Sequence, residues 1–365
     1  MNRRRFLHLT TAAAASLALP VPKLGRALAA SGPRWRVFEV TTRVEVLRPK
    51  GVSRVWVPLP LAVETDFQKG LGNTWEAPGG HARLAHDARY GVTLVSAEWP
   101  EGIKPVLEVK SNVSTRDWSV DLAAKPGPQK LDSASRTLWT APTQLLPTDG
   151  LVLSTALDVT AGVKGGDVEK ARALYSWVCD NSFRDPKVRG CGLGDIHSML
   201  AAHSLGGKCA DINALFVGLA RSLGIPARDV YGVRVADSER GYKALGKSGD
   251  VTKAQHCRAE FFANGYGWIP VDPGDVRKVI LEEPPGNLAV DDAKVVSARS
   301  FLFGGWEMNW MAYNYGHDVA LPGAPGGASV PFLLYPQAET ADGLRDCLDA
   351  PNFQYSLTAR EVSVS

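Results

Sequence analysis

The sequence predicts an α+β protein: a mixed helix-and-sheet core preceded by a small antiparallel β-sandwich. Three observations predict this. Residues 34–120 alternate apolar and polar side chains with period two, as half-buried strands do. From about residue 161 the apolar spacing changes to that of amphipathic helices. Further on, Asn264-Gly265 separates two strand-like runs, a strong local signal for a hairpin.

The elements follow in order. Trp35 to Val46 holds long stretches of period-two alternation, and Val52 to Leu59 and Val106 to Val113 are similar, with Gly, Pro and Asn between them. Residues 31–122 are therefore expected to form the sandwich. His81 and His86 lie in a polar stretch and read as solvated loop histidines. Pro126, Pro128, Pro142 and Pro147, with little periodicity around them, mark residues 123–160 as a connector. Residues 161–365 read as the second domain with a C-terminal extension. In it, Asp167 is the expected N-cap of a helix whose Val168, Ala171, Leu174, Tyr175 and Val178 share one face. A glycine-rich loop from Arg184 to Asp195 and a short helix around His197 to Ala202 come next. Residues 236–255 are polar and read as a loop, and the aromatic stretch 300–316 reads as core packing.

The first 29 residues read as an export signal. Asn2-Arg3-Arg4-Arg5-Phe6-Leu7-His8 matches a twin-arginine signature, an apolar run extends from Leu9 to Val21, and Ala27-Leu28-Ala29 supplies a small-x-small cleavage pattern. The apolar run is too short to be a permanent membrane span. The expected destination is the periplasm or the exterior, and the expected partner for transport is the twin-arginine export machinery. The formal charge of +3 includes five basic residues and no acidic ones within residues 1–29. The remainder carries 36 basic against 38 acidic residues, a net −2. That balance offers no electrostatic footprint for nucleic acid. Five cysteines (Cys179, Cys191, Cys209, Cys257, Cys347) are too few for a disulfide scaffold in so long a chain, and their odd number leaves one without an intrachain partner. No CxxC pair suggests structural zinc.

Cys209 is the candidate nucleophile. Leu205-Gly206-Gly207-Lys208-Cys209-Ala210-Asp211 leads into a helix whose Ile212, Leu215, Phe216, Leu219 and Leu223 form an apolar stripe. Gly224 ends that helix and Ile225-Pro226 prevents its continuation. A lone cysteine is usually an inert small hydrophobe. Cys209 differs because it falls in the first turn of a helix, where amide N–H groups favour the thiolate, and the diglycine before it leaves room for a substrate.

His256 and Asp272 are the candidate base and its orienting carboxylate. Ala254 to Phe262 and Gly267 to Asp272 read as the two strands of the hairpin. If the loop is Ala263 to Gly265, Phe262 opposes Tyr266 and His256 opposes Asp272, with Cβ atoms about 5 Å apart on one face. A two-residue loop makes them diagonal neighbours instead. A carboxylate at that distance can fix an imidazole's tautomer.

These motifs resemble the transglutaminase-like superfamily. Gly207-Lys208-Cys209-Ala210-Asp211 is similar to its cysteine motif, and Gly224-Ile225-Pro226-Ala227-Arg228 to the segment after the nucleophile helix. His256 with Ala259-Glu260, and Gly267-Trp268-Ile269-Pro270-Val271-Asp272-Pro273, are similar to its histidine and aspartate motifs. The resemblance covers roughly residues 165–275. It implies a papain-like α+β core and three catalytic residues: Cys209 as nucleophile, His256 as general base and Asp272 as orienter. A β-sandwich often precedes this core in bacterial members. Cys257-Arg258 departs from the Ala-Trp frequent after the histidine, which bears on substrate preference. For the oxyanion, the Cys209 N–H is one candidate, and Trp177 and Phe183 lie where relatives place an aromatic residue.

The expected activity is thiol-dependent hydrolysis or transfer at peptide or isopeptide amides, with hydrolysis favoured because water is always abundant. Peptide or protein substrates, cell-envelope ones among them, are the expected partners, and no cofactor or metal is expected. Two other readings remain: a non-catalytic binding or assembly module, and a metal site built from Cys209, His256 and Asp272.

Overall fold

The computed structural model describes residues 34–362. The expected signal segment, residues 1–29, lies outside them. The described chain begins with six strands: β1 (Arg36–Val46), β2 (Ser53–Pro58), β3 (Gln68–Glu76), β4 (His81–His86), β5 (Thr93–Trp99) and β6 (Val106–Thr115). Helices α1 (Ser133–Thr140), α2 (Gly150–Thr160), α3 (Asp167–Asn181), α4 (Ile196–Ala201) and α5 (Cys209–Ser222) follow. Then come β7 (Ala227–Arg234), β8 (Gln255–Ala263), β9 (Gly267–Val271), α6 (Pro273–Glu282), α7 (Ala293–Phe301) and β10 (Trp310–Asn314). Two late strands, β11 (Gln337–Thr340) and β12 (Phe353–Val362), end the described chain.

Strand pairing brings the two ends of the described residues together. One five-stranded sheet runs Gly249–Asp250, β12, β1, β6, β3; the other runs Gly343–Leu344, β11, β2, β5, β4. Their facing side chains, among them Val44, Val46, Val55, Val57, Val95, Trp99, Leu107 and Phe353, form one buried core. Period-two alternation predicts β1 well, since its buried residues are Phe38, Val40, Thr42, Val44 and Val46. That single face serves two neighbours. Val44 and Val46 meet the second sheet, whereas Phe38 and Val40 pack with Cys209, Tyr231, Val233 and Cys257. The sandwich therefore forms part of the wall behind the candidate nucleophile. His81 and His86 are exposed as expected, but they stand on edge strand β4 rather than in a loop.

The second core is a four-stranded antiparallel sheet, β9-β8-β7-β10, with helices packed on it. The segment expected as a connector contains α1 and α2. Val152 and Ala156 of α2 are buried against the α3 and α5 side chains, and short helices of this kind carry too weak a pattern to read. The α3 helix begins at Asp167 itself, one residue after its cap at Gly166. The α5 helix departs from the expected stripe, because every residue from Cys209 to Arg221 is buried. A helix buried all round must satisfy its polar side chains internally. Arg221 does so in part, donating from Nε to the Ala227 carbonyl and from Nη1 to that of Ala141. Gly224 stops the helix at φ +75°, and a Cβ there would meet no atom within 4 Å. Gly224→Ala should therefore cost only the left-handed penalty, about 1–2 kcal/mol in denaturant unfolding, with no loss of packing.

Candidate active site

Cys209 is the first residue of α5, and its placement depends on Asp211. One oxygen of Asp211 accepts the N–H groups of Leu193 and Gly194, both at 2.9 Å, and the other accepts that of Lys208, also at 2.9 Å. The carboxylate thus holds the loop before α4 against the helix start. Burial, and to a smaller extent the neighbouring Cys209, raises its pKa against the opposing pull of the three backbone donors. The diglycine motif has a different role from the expected one. A Cβ on Gly207 would strike Asp211, and one on Gly206 would strike the Phe183 ring, so the space goes to the protein rather than to a substrate. Gly192 is similarly constrained: it has φ +93° and a Cβ there would collide with the Asp211 carboxylate. Gly192→Ala should cost about 1–3 kcal/mol in unfolding free energy and slow Cys209 alkylation, because the cap must move. Unchanged values for both would refute the assignment to Asp211.

The hairpin reaches the expected neighbourhood by a different register. Ala263 pairs with Gly267 and Ala259 with Val271, so the loop is Asn264–Tyr266, one residue later than expected. Gly265 and Gly267 both have left-handed φ, at +87° and +81°, which sets the turn there. His256 and Asp272 are consequently not directly opposed. A two-residue register change preserves the face, however, and Asp272 lies just past the end of β9 as the N-cap of α6. Its Oδ1 accepts the Asp275 N–H at 2.9 Å, and its Oδ2 lies 2.7 Å from His256 Nε2. Pro273 at the first helical position has no N–H to satisfy.

A second carboxylate also touches the imidazole. Asp275 Oδ1 is 3.3 Å from His256 Nε2 and 2.6 Å from Arg234 Nη2. Arg258 Nε lies 3.5 Å from Asp272 Oδ2, while its Nη1 donates to the Glu307 carbonyl at 3.0 Å. Arg258 is thus buried behind Asp272 and packs beside the Trp310 ring. Asn213, one turn beyond Cys209, donates to the Cys257 carbonyl at 2.7 Å and lies 3.3 Å from Asp272 Oδ1. Trp310 donates to the His256 carbonyl at 3.0 Å. All of these groups are buried, so their charges act with little screening.

The electrostatics follow from those contacts. Burial works against a charge on His256, but Asp275 and Asp272 outweigh it and raise the imidazole to about 9. Burial likewise opposes charge on Asp275, yet Arg234 and His256 hold that carboxyl well below the usual range. Asp272 is raised by burial and by its neighbour Asp275. Cys209 is held well below an ordinary thiol, first by hydrogen bonds from Cys191 and Cys257 and then by His256. Since Nε2 is occupied by carboxylates, Nδ1 is the nitrogen left for the sulfur.

Two donor groups are compact enough to hold a metal ion: Cys191, Cys209 and Cys257, and His256, Asp272 and Asp275. Arg234 and Arg258 already neutralise the second group, which leaves the cysteines as the better donor set. Cys191, Asn213, Arg234 and Asp275 escaped sequence reasoning. The one available signal was Asn213, four residues after the cysteine and hence on its helical face. His317 pairs with Asp229 at 3.1 Å, while Asp318 instead accepts the Gln144 N–H. Tyr242 and Leu245, in the polar segment before His256, pack into the helical core, so that segment is anchored. Phe303, Trp306 and Trp310 are buried, as core packing predicts. Of the two aromatic oxyanion candidates, Phe183 lies beside Gly206, whereas Trp177 packs against the helical core.

The sequence model of the transglutaminase-like superfamily matches residues 154–273. A Haemophilus influenzae protein, named only "uncharacterized protein", is 32% identical over 344 residues, covering 89% of this chain and 92% of its own. Among solved structures, a Cytophaga hutchinsonii protein named "putative cysteine protease" superposes with a TM-score of 0.54 at 13% identity, over 91% of this chain and 92% of that one. The periplasmic domain of TgpA from Pseudomonas aeruginosa aligns over 67% of this chain and 88% of its own, at 14% identity and a TM-score of 0.34.

Proposed function

The chain belongs to the transglutaminase-like superfamily, and from that premise we propose that it is an exported thiol enzyme that hydrolyses peptide or isopeptide amides through an acyl-enzyme on Cys209. The observation that carries the proposal is the contiguity of Cys209 at a helix start, His256 beside it, and Asp272 at 2.7 Å from the imidazole. A charge argument supports it. With Cys209 ionised, three anions (Cys209, Asp272, Asp275) meet three cations (His256, Arg234, Arg258) in a buried cluster. A neutral thiol beside an imidazolium would leave one buried positive charge without a counterion, which is costly.

In this reading the Cys209 thiolate attacks the amide carbon. The Cys209 N–H, which among the described residues donates to no protein acceptor, is available to the oxyanion. The imidazolium passes its Nδ1 proton to the departing amine, leaving a thioester and a neutral imidazole. That imidazole then deprotonates water, whose oxygen attacks the thioester, which releases the acid and restores the thiolate–imidazolium pair. Asp272 keeps Nε2 engaged throughout, so that Nδ1 faces the chemistry. The cleaved chain is a peptide or protein of the cell envelope, reached after export along the twin-arginine route. No helix among the described residues is long and apolar enough to cross a membrane.

The test is labelling with a panel of electrophilic peptides, followed by peptide mapping. Adducts on Cys209, with rates that depend on the peptide, are expected. Labelling no faster than that of an unfolded thiol would support a binding module instead. The pH dependence has a definite sign. A raised imidazole pKa stabilises the protonated folded state; this contribution is complete below the ordinary value of about 6.5 and is lost as pH rises through about 9. Turnover should fall over the same upper range, because the leaving amine loses its proton donor. A kcat profile still climbing at pH 10 would contradict this.

A further inference from the structure

We propose that the nucleophile carries its own oxidative off-switch: Cys209 and Cys191 close into a reversible disulfide. The inference rests on the thiol-enzyme reading above. Its basis is a cluster of three sulfurs, Cys191, Cys209 and Cys257, all within 4.8 Å of one another. The catalytic chemistry uses only one of them.

Geometry selects Cys191 as the partner. Cys257 is fixed within β8, where it pairs with Tyr231, and its carbonyl is held by Asn213 at 2.7 Å. It has no exposed surface. Cys191 lies outside any strand or helix, between Gly190 and Gly192, which have left-handed φ of +54° and +93°. Its carbonyl accepts the Ala210 N–H at 2.9 Å, so the residue stays beside the start of α5. Cys191 and Cys209 are also the two members that retain some exposure, 5% and 4%. A disulfide needs the sulfurs at about 2.05 Å, so both side chains must rotate together, and the loop residue follows by releasing the Gln255 carbonyl, to which its Sγ donates at 3.4 Å.

The chemistry balances with a small external disulfide, such as oxidised glutathione, as oxidant. The Cys209 thiolate attacks one sulfur of that disulfide, forming a mixed disulfide and releasing one small thiolate. The Cys191 thiol loses its proton and attacks Cys209 Sγ, expelling the second small thiolate. The two protein sulfurs are oxidised to one disulfide, and one external disulfide is reduced to two thiols, which take up the Cys191 proton and the one held by the His256 imidazolium. The division of labour agrees with the electrostatics: Cys209 is held down as the attacking thiolate, and the hydrogen bond it receives holds Cys191 up as the protonated resolving thiol. An enzyme closed in this way has no nucleophile, and a reducing thiol restores it.

The test is to equilibrate the full chain in glutathione buffers of graded ratio, then alkylate and map the peptides by mass spectrometry. The expected result is a Cys191–Cys209 peptide pair, with Cys209 labelling falling at least about tenfold in oxidising buffer and recovering with dithiothreitol. Cys191→Ser should stop at the glutathione adduct on Cys209, whereas Cys257→Ser should still close. A wild-type protein that also stops at the adduct, or links Cys209 to Cys257, overturns the inference while leaving the enzyme reading intact. A stoichiometric thiophilic metal across the three sulfurs of the reduced protein overturns it too, since the thiols would then be occupied. A reduced Cys209 that labels no faster than an unfolded thiol instead removes the enzyme reading, and the inference with it.

Discussion

Cys209→Ala should abolish amide hydrolysis, with kcat lowered by about 10⁴-fold or more, the size seen when a covalent nucleophile is removed from an acyl-transfer site. The residual rate would come from binding and the oxyanion donors alone. The substitution is a mild one for the fold, because alanine keeps the helix start and Asp211 still supplies its cap. Circular dichroism and denaturant unfolding near wild-type values would therefore accompany the loss. Undiminished hydrolysis of the same peptide by the variant would contradict the role given to this sulfur.

Arg234→Met is the largest expected effect on stability. Arg234 is 3% exposed, pairs with Asp275 at 2.6 Å and donates to the Leu245 carbonyl at 2.7 Å. Removing it leaves Asp275 buried beside Asp272, with His256 as the one remaining cation within 4 Å among the described residues. The expected cost is about 3–5 kcal/mol in unfolding free energy, the usual penalty for orphaning a buried charge. Replacing the pair together, Arg234→Met with Asp275→Leu, should recover most of that loss, because an apolar pair needs no counterion. Urea unfolding of the three proteins measures this directly. A double variant no more stable than Arg234→Met would show that packing, not charge, dominates the site.

The cysteine, the histidine and the aspartate were legible because each stands in a local pattern: a helix start after two glycines, and the strands of an Asn-Gly hairpin. Their environment was not. Asp275 and Arg234 are distant in sequence from the elements they join, and a buried ion pair has no periodic signature. The hairpin shows the limit clearly. Whether Gly265 or Gly267 controls the turn changes the register by two residues, and sequence alone does not choose between them. The same holds for the sandwich. Alternation identified its first strands, but β11 and β12 close it from 337–362, almost three hundred residues after β1. Only three-dimensional pairing reveals that partnership. The full burial of α5 was hidden for a related reason: Asp211, Asn213 and Arg221 are polar residues that usually meet solvent, and only their three-dimensional partners account for their burial.

The central claim is that hydrogen bonds from Cys191 and Cys257, together with the adjoining His256 imidazolium, hold Cys209 as a thiolate at neutral pH. Its alkylation rate by iodoacetamide, followed from pH 5 to 10 with peptide mapping to Cys209, tests that most directly. An ordinary thiol is only about 3% ionised at pH 7 and its rate climbs through pH 8.5. The account predicts a rate already at its plateau at pH 7, with His256→Ala restoring the climb. A wild-type rate that rises through pH 8.5, as for a free thiol, would contradict it.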